Sequence, residues 1–405
     1  MTLFDTAGER RALAARLARS GVLSSSELRA AVEDVPREAF LRPGVFLPED
    51  EGRWRPVVAA RTAPEEWAAI AYSDRSLATQ LDGHLTADQV GGLVRGTPTS
   101  SSTVPATVVS MIEALGLTEG HTVLKIGTGT GYSTALMCHR LGEDNVTTIE
   151  VDPQVATRAD DALEAAGYST WTVTGDGLVG HPWRAPYDRV IATCAVRRIP
   201  YTWIRQTRVG GRILATIGSW AYGTGLAEVT VHGDGTARGR IVGRSSFMQA
   251  RSQATPTHLG DLEARAAYAD TERATRVLPS LLEEWMPAFL AQLGAPGSQF
   301  VHGADSTGAP VLYLLDNEHE SFASFREGAA GWVVRQGGPV ALWDRVEATL
   351  IAWRAAGSPD VDSVRLHITD RAHTYWIGSD GTGGDPVEQP PGGVVGPLRW
   401  VDRVA

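Results

Sequence analysis

Short apolar runs and helix-spaced apolar positions alternate through the middle of this 405-residue chain, and that alternation sets the fold expectation. Val123, Leu124 and Ile126 predict a short buried strand. Gly127, Gly129 and Gly131 predict a turn of little bulk, and Tyr132 opens a helix. Upstream, Ala7 to about Arg19 carries apolar residues at helical spacing, and Ser24 to Ser26 are placed to cap a second helix that runs through Val32. The prolines of VPREAFLRPG, Val35 to Gly44, end that helix, and AYSDRSLATQLDG, Ala71 to Gly83, reads as extended or turn structure. From Thr97 to Leu117 a polar Ser/Thr run leads through Pro105 into a helix with Val108, Val109, Ile112 and Leu115 on its apolar face. The plain alternative for Ser100 to Thr103 is helix capping; their place before the glycine-loop strand argues for a ligand nearby.

Beyond the loop, Asn145 to Ile149 is the next strand and ends in Glu150. Helix Gln154 to Ala166, strand Trp171 to Thr174 with Gly175-Asp176-Gly177 at its end, and strand Tyr187 to Thr193 follow. A short helix from Pro200, a strand from Arg212 to Ile217 and a hairpin around Gly233-Asp234-Gly235 complete the set. Strand and helix in strict alternation predict an α/β fold with a doubly wound parallel sheet. Asp270 to Gly294 reads as helix and PVLYLLDN and GWVVRQGG as strands. A long helix with Leu342, Val346, Leu350 and Trp353 comes next, before a closing pair of strands. Trp332, Trp343, Trp353 and Trp376 are expected in the core of this small α+β tail.

Charge and cysteine content narrow the function classes. Lys plus Arg number 37 against 47 Asp plus Glu, so a net charge of −10 gives no electrostatic reason for a nucleic-acid partner. Cys138 and Cys194 form neither a CxxC nor a disulfide framework, consistent with a reducing cytoplasm. No apolar signal core follows Met1 and no run reaches the roughly 20 apolar residues of a bilayer span, so a cytoplasmic protein without a membrane partner is expected. The ten histidines show no metal-ligand spacing, and no metal is expected.

In open sheets of this kind ligands bind outside the carboxyl ends of the strands, where Gly127 to Gly131, Glu150 and Asp176 all fall. Glycines admit a close backbone approach, and Glu150, 19 positions after Gly131, is placed to accept bonds from a ribose diol. A nucleoside is therefore expected, carried by a dinucleotide or by S-adenosylmethionine. The spacing is GxGxG rather than GxGxxG, without a second phosphate-binding element.

The ordered set VPREAF, AYSDR, the Ser/Thr run with Pro105, VLKIGTGTGY, TTIEVD, GDG, PYDRVIATCA and VGGRIL, from roughly Arg10 to Arg251, resembles the protein-L-isoaspartate O-methyltransferase family. The resemblance implies a class I methyltransferase (Rossmann-like) sheet with S-adenosyl-L-methionine on Gly127, Thr128, Gly129, Gly131 and Tyr132. It places Glu150 and Val151 at the ribose, and Asp176 and Gly177 at the adenine. It also puts Thr103, two residues before Pro105, where the family keeps its active-site serine, with Ser101 and Ser102 beside it. Lys125 stands where the family has an acid facing the methionine end. It either opposes the cofactor's positive charges or turns to solvent.

The resemblance stops near residue 250, and about 150 residues follow. Three regions are expected: an N-terminal helical and extended segment over 1–100, the cofactor domain over 101–252, and an α+β accessory domain over 253–405 for peptide recognition. With such a tail the chain looks like the methyltransferases of lanthipeptide and graspetide pathways, in which an Asp side chain of a ribosomal precursor peptide is methylated and a backbone nitrogen then closes a succinimide. Two rivals stand beside this: isoaspartate repair, and a peptide-binding module without catalysis.

Overall fold

The computed structural model describes residues 5–220, 223–254, 261–329, 331–378 and 399–403. The chain divides into two compact units, Met1–Thr193 with Arg205–Leu214, and Cys194–Ile204 with Ala215–Ala405.

In the first unit the helices are α1 (Ala7–Arg19), α2 (Ser26–Asp34), α3 (Pro64–Ala71), α4 (Pro105–Ala114), α5 (Tyr132–Leu141) and α6 (Pro153–Ala165). Its strands are β1 (Gly44–Glu49), β2 (Arg53–Val58), β3 (Leu77–Leu81), β4 (Val94–Arg95), β5 (Pro98–Ser102), β6 (Val123–Ile126), β7 (Val146–Glu150) and β8 (Trp171–Thr174). The chain passes between the units within β9 (Tyr187–Val196), α7 (Tyr201–Arg205) and β10 (Thr207–Ile217). The order β10-β9-β6-β7-β8 has parallel pairing of β6 with β7 and β9, and of β7 with β8. This is the expected α/β sheet. All four residues of β6 are buried, as a strand covered on both faces requires. Ser25 caps α2, its hydroxyl accepting from Leu28 N at 3.3 Å, and Asp152 caps α6. At the sheet's edge the short β8 exposes Trp171, over whose ring the Arg184 guanidinium lies at 4.5 Å.

The N-terminal region is more ordered than its sequence predicted. Five strands form a second sheet, β4-β2-β1-β3-β5, with β1–β2, β1–β3 and β3–β5 antiparallel. The Ser/Thr run is strand β5, paired to β3 through Ala78↔Ser101 and Leu77↔Ser102. Capping does not account for it. The N-cap of α4 is Val104 without a side-chain bond, and Asp74 Oδ1 instead accepts from Ala106 N at 3.1 Å.

The second unit contains a hairpin, β11 (Gly225–Val231) and β12 (Ala237–Arg244), then α8 (Leu262–Ala267), β13 (Thr271–Ala274), α9 (Trp285–Gly294), β14 (Gln299–Ala304), β15 (Pro310–Asp316), β16 (Ser321–Gly328), β17 (Gly331–Gly337), α10 (Leu342–Ala355), β18 (Val364–Ile368), β19 (Ala372–Ile377) and β20 (Arg399–Arg403). One antiparallel set runs β11-β12-β18-β19-β20, and a five-stranded antiparallel sheet runs β13-β17-β16-β15-β14. The hairpin falls in this unit rather than ending the 101–252 region, because β12 pairs with β18 (Ala237↔Ile368). Asp270 to Gly294 is not one helix: Thr271–Ala274 pairs with β17, Pro279 opens a short 3-10 turn, and only Trp285–Gly294 is α-helical. Of the four tail tryptophans expected in the core, Trp343 is fully buried, edge-on to Phe325 at 4.6 Å between ring centroids; Trp332, Trp353 and Trp376 are half-buried.

Candidate functional site

In the first unit the loop after β6 carries left-handed backbone at Gly127 (φ 80°), Gly129 (φ 58°) and Gly131 (φ 90°), a conformation that L side chains rarely adopt. A Cβ at Gly131 would lie 3.3 Å from Ala159 O, Leu163 Cγ and Phe40 Cδ1, and one at Gly129 would lie 3.5 Å from Ser101 O. The second distance brings the hydroxyl strand β5 against the glycine loop. Gly177 is closer still: a Cβ there would meet Ile126 Cγ2 at 2.4 Å, so only glycine lets the loop after β8 lie against the end of β6. Sequence-predicted residues from four separate stretches thus meet at the carboxyl ends of the parallel strands.

Glu150 is 8% exposed at the end of β7. Its Oε2 accepts from Gly129 N at 2.9 Å and its Oε1 from Asp152 N at 3.2 Å. Asp152, buried and not singled out from sequence, accepts from Gln154 N and Val155 N and, through Oδ2, from Gln80 Nε2 of β3 at 3.1 Å. A chain of hydrogen bonds thereby links the N-terminal sheet to the glycine loop. Asp176 is exposed and accepts from Leu178 N at 2.9 Å, Val151 is exposed beside Glu150, and Thr128 is buried with its hydroxyl bonded to Thr148 Oγ1 at 2.8 Å. The ring of Tyr132 does not line the loop mouth. It packs against Phe40 at 6.0 Å and under the Arg37 guanidinium at 5.9 Å, and burial pushes its phenol up to about 12.

Strand alternation sorts the hydroxyl run into two faces. Ser100 and Ser102 are buried, whereas Ser101 and Thr103 are half-buried on the opposite side. The Ser102 hydroxyl is taken up by Arg37, accepting from Nε at 3.4 Å.

Arg37, in the VPREAF stretch, is the residue that sequence reasoning passed over. It is 0% exposed and donates to six acceptors: Ala71 O at 2.6 Å, Ser73 O at 3.0 Å, Thr103 O at 3.1 Å, Arg75 O at 3.2 Å, and Ser102 O and Oγ at 3.4 Å. Burial pulls its guanidinium down to about 10, against the opposing influence of Tyr132, Asp74 and Tyr72. The available signal was an arginine in a short turn, with Ala39, Phe40 and Leu41 after it, directly behind a helix-ending proline. An arginine there reads as a surface residue unless its five donors are matched to backbone carbonyls.

Of the two alternatives open for Lys125, the structure excludes the turn to solvent. The residue is 1% exposed, and its ammonium folds back onto the loop, donating to Gly127 O, to Thr128 O at 3.3 Å and to Thr193 Oγ1 at 3.1 Å. The strand is covered on both faces, so the ammonium turns to oxygens of the loop and of the neighbouring β9.

The donors and acceptors fit a nucleoside cofactor: a buried carboxylate at a strand end, a glycine turn without Cβ bulk, and a second carboxylate in the next loop. Among the described residues no group of three or more His, Cys, Asp or Glu is placed to hold a metal ion, and no helix is long and apolar enough to cross a membrane. Burial raises the Cys138 thiol to about 12, which leaves it an inert apolar side chain.

Residues 62–254 match the family described as Protein-L-isoaspartate(D-aspartate) O-methyltransferase (PCMT). The chain is similar to the protein-L-isoaspartate O-methyltransferase of Ignicoccus hospitalis, 34% identical over 50% of this chain and 79% of that protein. The enzyme of the same name from Gloeobacter violaceus is 36% identical over 39% of this chain and 69% of its own length. A solved structure described as protein-L-isoaspartate O-methyltransferase aligns over 89% of this chain and 96% of that one, with a TM-score of 0.50 and 22% identity, a likeness of fold. With a curated relative above 30% identity matched over more than three quarters of its length, the chain belongs to the protein-L-isoaspartate O-methyltransferase family and is an S-adenosylmethionine-dependent carboxyl O-methyltransferase.

Proposed function

We propose that the carboxylate methylated is an Asp side chain of a ribosomally made precursor peptide, and that a backbone N–H then attacks the ester and expels methanol to give a succinimide, which water opens to isoaspartate. The observation that carries the site assignment is the juxtaposition of β5 with the glycine loop, Ser101 O lying 3.5 Å from the position of a Cβ on Gly129. It brings the Ser101 backbone beside the loop that would hold the cofactor, and the half-buried Thr103 follows two residues on. Precursor-peptide specificity draws its support from the second unit, most of which follows the family match that ends at residue 254, and from the methyl group that Thr103 adds where the family keeps serine.

S-adenosylmethionine, when bound, supplies an electrophilic methyl group. The residues do the rest by positioning. Glu150 and Asp176 would hold the nucleoside, with the amides of Gly127 to Gly131 close behind. Thr103 and Ser101 orient the substrate carboxylate, while Arg37 fixes the backbone of Ser102 and Thr103 from behind. A carboxylate with an ordinary pKa of about 3.9 is ionised at neutral pH, so no general base is needed. Holding nucleophile and methyl in line supplies roughly 7 to 11 kcal/mol of the barrier reduction.

Repair of isoaspartyl residues is the second reading, favoured by the activity for which the curated relatives are named and by the solved structure of that name whose alignment extends through most of this chain. Methyl transfer to an isoaspartyl peptide, to a linear Asp peptide and to a cyclised Asp-containing precursor separates the two. Preference for the cyclised precursor supports the proposal, and exclusive use of the isoaspartyl peptide overturns it in favour of repair. Absence of S-adenosylhomocysteine binding by calorimetry would leave only a peptide-binding module.

A further inference from the structure

Lys125 gives the glycine loop a cation of its own. Its ammonium donates to Gly127 O, Thr128 O and Thr193 Oγ1, and the Thr193 hydroxyl gives its one proton in turn to Gly127 O at 2.7 Å. An ammonium has three protons and no lone pair, so each of its bonds consumes an acceptor. The two loop carbonyls and the Thr193 hydroxyl within β9 are therefore already serving a positive charge, buried where screening by water is weak. A second ammonium brought to this loop finds these oxygens spent and a like charge among them. A carboxylate brought to it finds an opposite charge.

We propose that Lys125 substitutes for the amino group of the cofactor in the electrostatics of the loop, so that the protein recognises S-adenosylmethionine by its nucleoside and carboxylate and gains nothing from its α-ammonium. The role is one of ligand specificity and rests on the cofactor lying on the Gly127–Gly131 loop. It follows that compounds with the same nucleoside and carboxylate but no amino group are ligands of this protein.

Calorimetric titration of the full chain with S-adenosylhomocysteine, with its deaminated analogue (carboxylate kept) and with its decarboxylated analogue (ammonium kept) tests this without any turnover. The deaminated compound is expected within about threefold of S-adenosylhomocysteine and the decarboxylated one at least about tenfold weaker. In Lys125→Met, which keeps the stem and removes the charge, the order of the two analogues is expected to reverse. A loss of about tenfold or more on deamination in the wild-type chain overturns the proposal, as does an unchanged order in a folded Lys125→Met. Should that variant not fold, the wild-type comparison decides alone. Wild-type protein that binds S-adenosylhomocysteine but prefers the decarboxylated analogue refutes the role of Lys125 only; wild-type protein that binds none of the three refutes the cofactor site and this role with it.

Discussion

Replacing Arg37 with methionine removes a buried guanidinium from six acceptors, four of them at 3.2 Å or less. Each such charged bond is worth about 1.5 kcal/mol at the low end, giving roughly 6 kcal/mol lost. Against this stands relief of desolvation. A guanidinium pulled from 12.5 to about 10 by burial carries a penalty of roughly 3 kcal/mol that methionine does not. The net expected destabilisation is about 3 kcal/mol, and because the chain forms two units it should appear in the unfolding transition of the first. Lysine should recover less than half of it, since one ammonium cannot reproduce a planar fork reaching five carbonyls. The functional signature is separate from stability: with the carbonyls of Ser102 and Thr103 released, methyl transfer per folded molecule should fall by about 100-fold, as for a displacement near 1 Å, while S-adenosylhomocysteine affinity changes little. Urea unfolding, calorimetry and single-turnover methyl transfer read the three quantities. A loss below about 1 kcal/mol in Arg37→Met, or unchanged turnover in the folded variant, would refute the role given to this residue.

Thr103→Val should cut methyl transfer strongly with cofactor affinity and melting temperature nearly unchanged, since α4 takes no cap from it; wild-type turnover would end its assignment. Glu150→Ala is expected to weaken S-adenosylhomocysteine binding by more than the roughly 1.5 to 3 kcal/mol of one charged bond, because that carboxylate also holds Gly129 N, whereas the exposed Asp176→Ala should lose no more than that. Equal affinities for both variants and wild type in calorimetry would remove the two acids from the site. In the second unit, burial alone would raise the Glu347 carboxyl, but Arg276 N, Thr275 Oγ1 and the guanidiniums of Arg273 and Arg276 outweigh it and hold it at about 2, below its ordinary 4.5. A depressed acid stabilises above its unfolded value and loses that contribution as pH falls through the folded one. With Arg276 68% exposed, screening leaves about 1–2 kcal/mol, lost between pH 4.5 and 2 and missing from Glu347→Gln; identical acid unfolding of variant and wild type would refute it.

The parallel sheet was legible because its signals are local: short apolar clusters in each strand, glycines where φ must be positive, and an acid at a strand end. The N-terminal sheet was not. Pro43, Pro48, Pro56 and Pro98 punctuate its strands, and β5 is composed of proline, threonine and serines, whose strand character comes from pairing with β3 rather than from hydrophobicity. Similarly β16 buries Ser321, Ala323 and Ser324 along with Phe322 and Phe325, so its buried positions follow no apolar alternation. Glu150 was found from spacing. Arg37, Gln80 and Asp152 were missed because a buried polar side chain is defined by partners far away in sequence, and the direction of Lys125 stayed open because a lysine's long stem gives no hint of where its ammonium turns.

The stacking of Arg184 on Trp171 bears on how copies of this protein behave toward one another. β8 is the last strand of the parallel set, only four residues long, and its outer backbone groups would otherwise invite a neighbouring chain to add a strand. A bulky indole held under a positively charged guanidinium at 4.5 Å makes such an approach both crowded and electrostatically costly for a second copy carrying the same pair. An edge strand so short and so crowded is a poor template for strand addition by a second copy, in a way that a flat, uncharged strand would not be.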